Sequence, residues 1–153
     1  MIDLAMIDVD LDPGAVATAL ADKADALRQA LEAQVIANLS GAILKQRSGT
    51  LVGSISSDLE NDGSSLTATV ASQDVPYAAI LEYGGKTAAH DILPSKAKAL
   101  AFIAGGAQRF ARIVHHPGST IRAFAYMGAA LDEMKDEIES GLKEAVLGAL
   151  GAG

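Results

Sequence analysis

The chain has 153 residues, a formal charge of −7, half of its residues apolar and only 4% aromatic. That length gives one domain's core, and the acidic balance argues against a nucleic-acid clamp, which needs clustered Lys and Arg. Cys is absent, so disulfides and thiolate metal sites are excluded, and with few aromatics the core must come from Ala, Leu, Ile and Val.

Residues 2–9 alternate loosely, with Ile2, Leu4 and Met6 against Asp3 and Ala5, and are expected to form an edge strand. Met1–Asp12 carries acids where a signal peptide has a basic start, so no leader is expected. No apolar run approaches the roughly 18–20 residues of a membrane span, and a soluble protein with no membrane partner is expected. Asp12-Pro13 supplies an N-cap and a first-turn proline. Val16, Leu20, Leu27, Leu31, Val35, Leu39 and Ile43 then recur every four or seven residues, with Ala24 filling the gap, which predicts one amphipathic helix over Pro13–Leu44.

Lys45–Gly49 breaks that helix, and Thr50–Ile55 reads equally as a helical turn or a strand. Ser56–Glu60 should be extended. Asn61-Asp62-Gly63 is a hairpin-turn signal, because these residues tolerate positive φ. Leu66, Ala68 and Val70 alternate with Thr67 and Thr69 as a half-buried strand.

The stretch Val75–Tyr126 concentrates the aromatics, the three histidines and three of the four prolines. Tyr77–Tyr83 suggests a short helix ended by Gly84-Gly85, and Lys86–Asp91 a polar, mobile loop. Leu100–Ile103 and Arg109–Val114 suggest a strand pair joined by Gly105-Gly106, with a turn at His116-Pro117-Gly118-Ser119. From Ile121, the spacing of Phe124, Met127, Leu131, Met134, Ile138, Leu142, Val146 and Leu150 predicts a second amphipathic helix over 121–150, with Asp132–Glu139 on its solvent face. The expectation is a single α+β domain over 1–153. An antiparallel sheet of about four strands, a strand meander over 50–116, is packed by the long N-terminal helix and the long C-terminal amphipathic helix.

Catalytic signatures are missing. No serine lies in a G-x-S-x-G elbow, and Gly84-Gly85 and Gly105-Gly106 lack phosphate-loop spacing. His90, His115 and His116 could offer nitrogen ligands, with Asp91 or Glu82 as a carboxylate, but adjacent histidines point apart in a strand. No cofactor, no metal site and no enzymatic activity are expected. Tyr77, Tyr83, Phe124 and Tyr126 read as caps of the core's ends or as interface aromatics.

Several stretches together resemble the HK97 gp10-like family of tailed-bacteriophage neck, minor tail and tail-completion proteins. Ser48-Gly49-Thr50-Leu51 with Ser54-Ile55 resembles that family's (R)(T/S)G-x-L-x-x-S-I stretch, and Tyr77-Ala78 with Glu82-Tyr83-Gly84 its Y-A-x-x-x-E-(F/Y)-G signature. His90-x-Ile92-x-Pro94, Ala97–Phe102 and Phe110 to Ser119 resemble an insert found in many members. Arg122-Ala123-Phe124 resembles the (R)P-F-(L) step into the final helix. Gly85 replaces a frequent Thr, and Ala123 a usual Pro.

The resemblance implies a non-enzymatic virion subunit at the neck or tail, for head–tail joining, tail completion or tail termination. It implies that the subunit assembles with itself, as a hexameric ring, and with head-completion or tail-tube proteins. DNA would pass only as cargo through an acidic lumen. Assembly contacts are then expected at Tyr77, Glu82, Tyr83, Gly84, His90, His116, Pro117, Gly118, Arg122 and Phe124. The alternatives are a small metal-dependent hydrolase or nuclease using the three histidines, and a regulatory module that dimerises through its helices.

Overall fold

A computed structural model describes residues 13–44 and 49–151. The expected strand at 2–9, the Asp12 cap and residues 45–48 of the helix break lie outside them. The fold is α+β, with a long helix near each end of the described chain and short antiparallel strands between. Contacts group the chain into two compact units, Met1–Ala78 with Ala125–Gly153, and Ala79–Phe124.

The first unit holds α1 (Pro13–Ala37), extended by a π-helical turn at Asn38–Ala42. The expected end at Leu44 comes two residues early because Gly41 turns to φ 134°, a conformation that favours glycine. The Asn38 carbonyl then accepts the N–H groups of both Ile43 and Leu44, at 2.9 and 3.0 Å, closing the helix end. The predicted stripe is real: Ala24, Leu27, Val35 and Leu39 are buried.

A single turn, α2 (Thr50–Gly53), leads into β1 (Ile55–Asn61), which pairs with β2 (Leu66–Ser72) from Ile55↔Ser72 to Asn61↔Leu66. The turn forms as its residues require. Gly63 takes φ 85°, and the Asp62 carboxylate accepts the N–H groups of Ser64 and Ser65 at 2.8 and 2.7 Å. Those bonds, with the two serine hydroxyls, hold the Asp62 carboxyl below the usual carboxylate range. A lowered carboxylate stabilises the fold fully above the ordinary Asp range, and that contribution is lost as pH falls through the lowered value. The hairpin lies on α1, where Arg28 donates to the Ser57 hydroxyl and Ser57 to Glu32. Arg28 and Glu32, which lie off the apolar stripe, thus meet the strand.

The last helix, α4, spans Tyr126–Gly151 rather than beginning at Ile121. Ile121 belongs to a strand, and Ala125 takes a positive φ of 49°, which no helix continues through. The buried face is also rotated from the expected one. Tyr126, Ala130, Met134 and Gly141 face inward, while Leu131 is half exposed. Gly141 is buried against α1, where a Cβ would meet the flexible end of the Lys23 side chain. At the other end of the α1–α4 contact, the buried Asn38 amide donates to the carbonyl of Tyr126 at 3.0 Å.

The second unit holds α3 (Ala78–Tyr83) from its second residue onward, and contains β3 (Gly85–Lys86), β4 (His90–Ile92), β5 (Leu100–Ala104), β6 (Ala107–Ala111), β7 (Val114–His116) and β8 (Thr120–Ile121). Instead of one sheet of about four strands, the described strands form four two-stranded ladders: β1–β2, β3–β8, β4–β7 and β5–β6. Nesting explains the difference. The last three ladders close around one reversal at Gly105-Gly106, so each strand meets its own return and no third strand is brought alongside. Much of the loop expected over Lys86–Asp91 is therefore paired strand.

Asn38→Ala removes the donor to Tyr126 from a site that water does not reach. It is expected to destabilise the protein by about 1–3 kcal/mol, read as a lower urea midpoint with an unchanged slope.

Candidate assembly interface

The second unit is a two-stranded arm. One register runs from Gly85↔Ile121 and Lys86↔Thr120 to His90↔His116, Asp91↔His115 and Ile92↔Val114, with no residue inserted on either side. Between the two ladders Thr87 donates its N–H to the Ser119 carbonyl at 2.9 Å, and Ser119 returns its N–H to the Thr87 hydroxyl at 2.8 Å. The ladder lapses only near Pro117, which has no N–H to give, and Gly118, at φ 84°.

Two stretches far apart in sequence meet at the base of the arm. The α3 carbonyl of Leu81 accepts the Phe124 N–H at 2.8 Å. Gly84, at φ 73°, ends the helix. It sits so close to the returning chain that a Cβ would lie 2.7 Å from the Ala123 nitrogen. Arg122 lies over the Phe124 ring, 4.8 Å from its centroid, a favourable cation–π distance. Glu82-Tyr83-Gly84 and Arg122-Ala123-Phe124 thus form one junction. Glu82 is buried, whereas the Tyr83 side chain is 81% exposed. Tyr77 precedes α3 and is also exposed.

The histidines divide between the two faces of the β4–β7 ladder, as strand alternation requires. His90 and His116 stack with centroids 5.0 Å apart, while His115 pairs with Asp91. The His116 Nδ1 accepts the Gly118 N–H at 3.0 Å, which leaves the proton of the neutral ring on Nε2. Among the described residues, no group of three His, Asp or Glu side chains is placed to hold a metal ion. His90, His116, Pro117 and Gly118 are brought together as a ladder junction rather than a ligand set.

Every buried apolar side chain among the described residues lies in the first unit. The arm's large side chains face outward: Leu93, Ile103 and Phe110 are exposed, the last two at 78% and 68%. Sequence reasoning treated Leu100–Ile103 as an ordinary strand and missed these positions. The available signal was the lack of alternation across Leu100–Ala104, which gives a two-stranded ladder apolar residues on both faces. A second signal was charge. Ala79–Phe124 holds six Lys and Arg against two Asp and Glu, and the rest of the chain six against 17, so the units carry +4 and −11.

Gly118 tests whether the arm depends on its close approaches. A Cβ there would collide with the Thr87 carbonyl oxygen. Gly118→Ala should therefore break the Thr87–Ser119 bonds and speed amide exchange across Gly85–Ile92, while the α1 and α4 amides keep their protection. The comparisons with known proteins give no family: no family model, curated protein or solved structure matches the chain.

Proposed function

We propose that this chain is a structural subunit of a tailed-phage virion, at the neck or tail, that assembles with copies of itself into a ring and has no enzymatic role. The junction at the arm's base carries this reading. The two stretches that most resemble the gp10-like family, Glu82-Tyr83-Gly84 and Arg122-Ala123-Phe124, converge there through the Leu81–Phe124 hydrogen bond and the Gly84 contact. Those residues set the geometry of an arm rather than the geometry of a reaction.

The arm's exposed apolar side chains support the same reading, because a two-stranded ladder without cover is marginal in water. Subunit contact supplies such cover. The metal-dependent alternative is less favoured, since His115 lies on the ladder face opposite His90 and His116. A helix-mediated dimer is less favoured, because α1 and α4 spend their buried faces on each other. No helix among the described residues is long and apolar enough to cross a membrane.

On this reading the excess of negative charge in the first unit is suited to a channel through which DNA passes without adhering. Head-completion and tail-tube proteins are the neighbouring partners. Negative-stain imaging of concentrated protein, alone and mixed with a phage tail-tube protein, is expected to show rings of uniform diameter. Stoichiometric zinc or manganese in the purified protein, or small dimers with no rings under either condition, would contradict the proposal.

A further inference from the structure

An apolar groove of about 420 Å³ runs along the first unit. Leu20, Leu27 and Leu31 of α1 form its floor, Ile138 and Leu142 of α4 one wall, and Leu66 of β2 the other. β1 reaches it only at Asn61, so the groove follows the outer edge of β2. Among the described residues β2 pairs with β1 alone. Every second N–H and C=O on that outer edge therefore has no strand partner.

Neighbouring contacts fix the direction a further strand would take. Ser57 of β1 meets Arg28 and Glu32 of α1, while Asn61 and the turn after it share the groove with Ala17 and Leu20. β1 thus runs back toward the start of α1, and its antiparallel partner β2 runs the same way as α1. A strand antiparallel to β2, lying between β2 and α4, ends beside the first turn of α1.

Met1–Asp12 enters α1 at Pro13 and lies outside the described residues. Its pattern matches such a strand. Ile2, Leu4 and Met6 alternate with Asp3 and Ala5, and Ile7, Val9 and Leu11 alternate with Asp8, Asp10 and Asp12. One extra residue at Met6-Ile7, as in a β-bulge, puts these six apolar side chains on one face and the four acids on the other. The lengths agree as well. From Ala17 to Leu31 α1 rises about 21 Å at 1.5 Å per residue, and a strand over 2–9 covers about 26 Å at 3.3 Å per residue. Arg28 lines the groove and no carboxylate does, so the segment's acids meet no like charge in its lining.

We infer that residues 2–9 occupy the groove of their own chain as a third strand, antiparallel to β2, with Ile2 toward Leu31 and Val9 toward Ala17. The short link Asp10–Asp12 suffices for the reversal into α1. The strand completes the core of the first unit and removes the groove from assembly, which leaves the arm as the surface for subunit contact. The inference goes beyond the virion reading and does not depend on it.

Two measurements on the full chain test it. By hydrogen–deuterium exchange, the β2 amides between Leu66 and Ser72 are expected to be protected throughout rather than at alternate residues. Leu4→Asp/Met6→Asp should speed the outward-facing set about 100-fold, since burial of each side chain is worth a factor of ten or more. The set bonded to β1 should stay slow. Asp3→Cys, on the outward face of a chain with no native cysteine, carries a nitroxide. In dilute protein the nitroxide should broaden the amide signals of β2 and of Ile138–Leu142. It should broaden none of them in isotope-labelled copies mixed in without the nitroxide.

Fast exchange of the outward-facing β2 amides in wild-type protein overturns the inference, as does slow exchange that survives the double substitution. Broadening confined to the mixed sample also overturns it, because the strand would then lie in a second copy. Circular dichroism checks that the double variant is folded; if it is not, wild-type exchange and the nitroxide decide. None of these outcomes bears on the ring, which imaging tests separately.

Discussion

The contact between α1 and α4 is what the remaining structure depends on, and the Asn38–Tyr126 hydrogen bond fixes one end of it. Both residues are 1% exposed, and a buried amide without a partner would cost about 1–3 kcal/mol. The bond therefore penalises any sliding of α4 along α1. Val35, Leu39, Ala130, Met134 and Gly141 are the buried side of these two helices.

The two units divide the physical work. The first gathers the buried apolar side chains and most of the acids; the second carries exposed apolar side chains and a net positive charge. Its backbone is well satisfied by the paired strands, but its side chains gain little from burial within the chain. Such an element gains stability where a neighbour covers it, which is why the exposed Ile103 and Phe110 fit the assembly role proposed above. The fixed junction at Leu81, Gly84 and Phe124 gives the arm a defined base from which to reach.

Much of this was legible in the sequence where periodicity was long. The α1 stripe, the Asn61-Asp62-Gly63 turn and the α+β class followed from spacing and turn chemistry. The beginning of α4 did not, because Ile121 and Phe124 continue the helical spacing by chance while Gly85 and Leu81 claim their backbone groups. The polar strand residues between Lys86 and Asp91 looked like a loop because a ladder with no buried face leaves no alternation to read. Alternation did anticipate that His115 and His116 would part. It could not show that His90 would meet His116, since that depends on a pairing partner 26 residues away. Asn38 gave no signal at all: a polar residue beside Leu39 reads as the edge of a stripe until its partner is known.

The central claim is that the arm is covered by another subunit rather than by its own chain. Hydrogen–deuterium exchange across a concentration series tests it directly. At low concentration the amides of Leu100–Ala111 should exchange far faster than those of α1 and α4, and their protection should rise in step with association. Protection equal to that of the core in dilute monomer, or unchanged as oligomers form, would contradict the claim.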